Sequence, residues 1–97
     1  MINSIVMALA LASPNIEQCA VIADAAEAYM EFRQIDEMDV KSLYESVPKD
    51  SPNRGLHLAI LTDLMDIPLY SSDLYKNRAI IDFKDRWFRM CMTAKDK

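Results

Sequence analysis

The chain predicts an all-α fold, a compact single-domain bundle of four to five helices, on three observations. It holds one glycine in 97 residues, whereas an all-β fold needs many tight turns that glycine supplies. It is rich in Ala, Leu, Met, Glu and Lys, which favour helix. Its apolar residues recur at three- and four-residue intervals, most clearly at Ile80, Phe83, Trp87, Met90 and Cys91. An apolar fraction of 52% suffices for a packed core and argues against disorder. This length leaves room for one core, so the chain reads as a single domain over 1–97.

Taken in order, residues 2–12 form the first candidate helix. Ile5, Val6, Leu9 and Leu11 make it apolar nearly all round, as a buried helix should be. The same stretch resembles a short signal-peptide core, with Ala-Leu-Ala ahead of Ser13. It lacks a basic leading segment and is too short to span a bilayer, so a core helix is preferred and a cleaved signal is the alternative. Ser13-Pro14 ends this element and starts the next.

The second helix is expected from Pro14 to about Gln34. Ile16, Cys19, Ala20, Ala23, Ala26, Met30 and Phe32 supply its apolar side, and Glu17, Asp24, Glu27 and Glu31 the other. Asp36 or Asp39 can cap a short third helix over Val40–Ser46, with Val40, Leu43 and Tyr44 inward. Residues 48–55 hold two prolines, Asp50, Ser51 and Gly55, and read as a loop. A fourth helix follows over Leu56–Asp66. Its apolarity is two-sided, which predicts a central helix contacted from more than one direction. Pro68 ends it, because the residue before a proline is driven out of helical conformation. Ser71 or Ser72 then caps a fifth helix reaching about Met92, with Trp87 largely buried and Arg78–Asp82, Asp82–Arg86 and Asp85–Arg89 as candidate pairs four residues apart.

No stretch carries a recognisable catalytic or metal pattern. His57 is the one histidine, and hydrolytic catalysis would need further groups brought to it. Two cysteines and one histidine fall short of a four-ligand zinc set, and one glycine rules out a glycine-rich phosphate cradle. No cofactor is expected. Cys19 and Cys91 lie on apolar stripes far apart in sequence, so both read as buried free thiols in a reducing, cytoplasmic compartment, without membrane contact.

Charge is split. Residues 1–70 carry a net of −7 and residues 71–97 a net of +3. The first part could face a basic partner and the tail an acidic one, unless both are simply solvated helix faces. The basic helix over 72–92 interleaves Lys76, Arg78, Lys84, Arg86 and Arg89 with Tyr75, Trp87 and Phe88. A small helical nucleic-acid-binding regulator is therefore the alternative function, although direct DNA contact is not the favoured reading.

The strongest local feature is the elbow over 67–71. A helix stop needs only Pro68, yet Ile67, Leu69 and Tyr70 add sizeable apolar groups to the same bend. These four residues are the candidate partner-binding site. The segment Leu64-Met65-Asp66-Ile67-Pro68-Leu69-Tyr70, with the size and acidic helical make-up of the chain, resembles the small anti-RecBCD proteins of lambdoid Salmonella phages. That resemblance implies a non-enzymatic phage protein acting in the host cytoplasm. It would bind the RecC subunit of the host RecBCD nuclease–helicase and modify its activity in favour of phage recombination. It also implies a host prolyl isomerase engaging Pro68.

Overall fold

Helices form where the sequence keeps a continuous apolar register. The computed structural model describes residues 16–94. The expected helix over 2–12 and its signal-peptide alternative lie outside the described residues. Four helices follow one another: α1 over Ile16–Gln34, α2 over Val40–Ser46, α3 over Arg54–Leu64 and α4 over Asp73–Ala94. No strand is present among the described residues, so the all-α expectation holds there.

The register of α1 is written by Cys19, Ala23, Ala26, Met30 and Gln34, all buried. The expected Ile16, Ala20 and Phe32 turn outward instead. In α4 the buried set is Lys76, Ala79, Ile80 and Phe83. These two helices form the largest interface and run antiparallel, as three contacts along their length show. Cys19 meets Cys91 at one end, Glu27 meets Lys84 in the middle, and Gln34 meets Lys76 at the other. The alanines of α1 permit this close approach.

α3 serves two cores at once, as its two-sided apolarity predicts. Ile60 and Leu64 join Ala26, Met30, Ala79, Ile80 and Phe83 in the main cluster. Leu61 joins Leu43 and Val47 in a smaller one beneath α2. The helix begins at Arg54, two residues before the expected Leu56, so the connection after α2 is shorter than the 48–55 loop. Asp39 caps α2 as expected, accepting from the Ser42 N–H at 2.8 Å. Between α1 and α2, Glu37 takes a left-handed backbone with φ of 56°. This turns the chain, and the Met38 N–H satisfies the Phe32 carbonyl.

Three expectations need correction. Cys19 and Cys91 are not free thiols but a disulfide, with Cα atoms 5.5 Å apart. Each cysteine's own helix shows only its own apolar stripe, and only the antiparallel packing of α1 on α4 reveals that the two stripes coincide. Trp87 is half-buried rather than core, and Phe83 fills the interior in its place. Of the three pairs expected within α4, Arg89–Asp85 forms; Arg86 reaches across to Asp63 instead. A partly buried carboxylate on the facing helix offers it two bonds where its own helix offers one exposed contact.

Candidate partner-binding elbow

The elbow begins where α3 runs out of main-chain partners. The N–H groups of Met65, Asp66 and Ile67 bond back to carbonyls of Leu61, Asp63 and Leu64. The helix thus closes at Leu64, two residues before the expected Asp66, because its last turn tightens to bonds three residues back; Pro68, with no N–H to give, adds none. Its peptide bond is trans. Ser72 restarts the chain: its hydroxyl accepts from the Tyr75 N–H at 3.2 Å and its carbonyl from the Lys76 N–H.

The structure brings the four predicted site residues together and divides them. Ile67 and Tyr70 pack against the main cluster and are half-buried. Pro68 and Leu69 face outward, with Leu69 40% exposed. Further apolar side chains are exposed on either side of the bend in sequence: Met65 before it, and Leu74 and Tyr75 in the first turn of α4. The Tyr75 ring lies 5.9 Å from that of Tyr70. Tyr70 also lines a groove of 220 Å³ with Ile67, Ala79, Asp82, Phe83 and Arg86.

Gln34 is the residue that sequence reasoning missed. It closes α1 fully buried, and its side-chain amide is satisfied at both ends. Nε2 donates to the Pro68 carbonyl at 2.8 Å, and Oε1 accepts from the Tyr70 N–H at 3.0 Å. Lys76, also buried, donates from Nζ to the Gln34 main-chain carbonyl at 2.7 Å. A cation at a helix C-terminus meets the negative end of the helix dipole, so the pair suits its place. A signal was present: Gln34 continues the 19, 23, 26, 30 spacing of the buried stripe, and Lys76 the stripe of Ala79, Ile80 and Phe83.

Beside the elbow, Asp63 gathers α4 onto α3. Its carboxylate accepts from Arg86 Nε at 2.8 Å, from Arg86 Nη2 at 3.2 Å and from Trp87 Nε1 at 3.0 Å. The Asp63 bonds raise the pKa of Arg86 further above its already high value. Lys84 is raised too, first by its bond to Glu27. Part of the charge split between the two halves of the chain is therefore answered inside the molecule.

His57 meets the Tyr29 hydroxyl through Nδ1 at 2.9 Å. Burial pushes the Tyr29 phenol up from its ordinary pKa. Among the described residues, no group of three or more His, Cys, Asp and Glu side chains is placed to hold a metal. No helix among them is long and apolar enough to cross a membrane. Comparison with family models, curated proteins and solved structures gives no match.

Proposed function

We propose that the protein works by binding rather than by catalysis, docking the outer face of the proline elbow on a larger protein. The resemblance implies that this partner is the RecC subunit of host RecBCD. It also implies an outcome, altered nuclease activity that favours phage recombination, and a second ligand at Pro68, a host prolyl isomerase. The observation that supports this reading is the apolar surface left outside around one bend. Leu69, Leu74 and Tyr75 are 40%, 69% and 56% exposed, and such clusters on small domains mark partner sites.

The nucleic-acid alternative, on the basic helix 72–92, has less support. Lys84 is engaged by Glu27 and Asp24, Arg86 by Asp63, Arg89 by Asp85, and Lys76 is buried on Gln34. Cations spent on internal carboxylates add little to phosphate binding. The disulfide bears on where the protein acts. A reducing cytoplasm opens such bonds, so action there requires α1 and α4 to stay packed with two thiols at that end. The Lys84–Glu27 and Lys76–Gln34 contacts and the core between them support that packing.

The test is direct binding of purified protein to immobilised RecBCD and to a purified prolyl isomerase, with thermal melts alongside. Leu69→Asp should melt near the parent and weaken binding about tenfold or more, because it places a charge at an apolar contact. Pro68→Ala should keep both helices, since Ser72 still caps α4, and weaken the isomerase. If both variants bind both proteins as the parent does, the elbow is only a helix stop. Salt-dependent retention on duplex DNA in that case would favour the alternative.

A further inference from the structure

The two main-chain groups held by Gln34 stand on either side of Leu69. One planar amide can reach the carbonyl of residue 68 and the N–H of residue 70 together when both point to one edge. That is their arrangement around a near-extended residue. The N–H and carbonyl of Leu69 itself then point to the opposite edge, and neither has a main-chain partner among the described residues. The Leu69 side chain is exposed at the same bend. Between the last turn of α3 and Ser72, the Gln34 amide supplies the two hydrogen bonds that fix the main chain. A methionine or leucine at position 34 would fill similar space but could fix nothing.

We propose that Gln34 is the positioning residue of the partner surface. Its amide holds residues 68–70 in the one shape in which Leu69 is offered to the partner. The proposal rests on the elbow reading above and adds to it how the surface is prepared. A ligand that binds one shape of a segment loses affinity in proportion to the time the segment spends in others. Gln34 removes that loss from the other end of the sequence, through α1.

Gln34→Leu removes both hydrogen bonds at similar volume. Gln34→Asn keeps the amide but is one methylene too short to span them. The Lys76 contact uses the main-chain carbonyl and is open to both variants. Each is assayed by amide hydrogen exchange, by melting, and by binding to RecBCD and the prolyl isomerase. Expected is faster exchange at the Tyr70 N–H, undiminished protection at Ala26 and Phe83, and binding weakened about tenfold, as when the competent shape falls to about one part in ten. Should Gln34→Leu fail to fold, Gln34→Asn carries the same comparison. Parental binding by a folded variant whose Tyr70 N–H has opened would overturn the proposal. If Leu69→Asp still impairs binding in that case, the elbow reading survives without Gln34. If Leu69→Asp is silent as well, both readings fall.

Discussion

Phe83 and Trp87 sit one turn apart on α4, their ring centroids 6.4 Å apart, yet they do different work. Phe83 is 1% exposed and surrounded by α1 and α3 side chains. Trp87 lies at the edge, with its indole N–H donating to Asp63. Phe83→Ala should therefore cost about 3–5 kcal/mol of stability. Trp87→Ala should cost less, roughly 1–3 kcal/mol, from lost packing on Phe83 and one lost bond to the carboxylate. Denaturant titration of the two variants checks the order. A larger loss at Trp87 would mean that the core is centred further along α4. The same distinction limits what sequence can say about single residues. Both aromatics lie on the apolar stripe, and the choice between them depends on which of them meets Ile60 and Leu64 of α3, which the stripe does not contain.

The short helix α2 depends on its cap. The Asp39 side chain accepts from the Ser42 N–H, and hydrogen bonding to Ser42, from its side chain first and its main chain second, holds the Asp39 carboxyl below the usual carboxylate pKa. A carboxyl lowered in the folded state stabilises fully above its unfolded value and stops doing so as pH falls through the lowered one. Acid should therefore loosen α2 and the Leu43–Val47–Leu61 cluster, and Asp39→Asn, which keeps a capping oxygen, should flatten that dependence. Melting temperature against pH for the two proteins is the check, and parallel curves would remove Asp39 from the account. Helices were well marked in the sequence where a register and a stop coincide. Val40–Ser46 has Asp39 before it and Pro48 after it, and it appears as read. The sequence pattern places the start of α3 two residues late because Gly55 resembles loop, although a glycine is tolerated in a first turn. The elbow was legible from Pro68 and its apolar neighbours. Its clamp was not, because Gln34 and Pro68 are far apart in sequence and a glutamine has no spacing rule that links it to a distant main chain.

At the scale of the whole molecule, the antiparallel pair of α1 and α4 carries the rest, and Cys19–Cys91 ties one end of it across a sequence separation of 72 residues. Closing a loop of that length restricts the unfolded chain and should contribute about 4 kcal/mol on the chain-entropy account, a large share for a domain of this size. Reduction, or Cys19→Ser with Cys91→Ser, should lower the melting temperature while leaving the helical spectrum intact. Rapid labelling of two thiols in the unreduced native protein would show that the bond is absent. The bond also changes what a protease can do. The turn after α2, with Pro48, Lys49 and Asp50 exposed, lies inside the covalent ring that it closes. A single cut after Lys49 opens the ring without releasing a fragment, leaving two chains joined by sulfur. Brief trypsin treatment should give a product heavier by one water that runs as one band unreduced and as two after thiol. Its α1–α4 interface would then associate as a two-chain protein, with the elbow and Gln34 on separate chains and still facing each other.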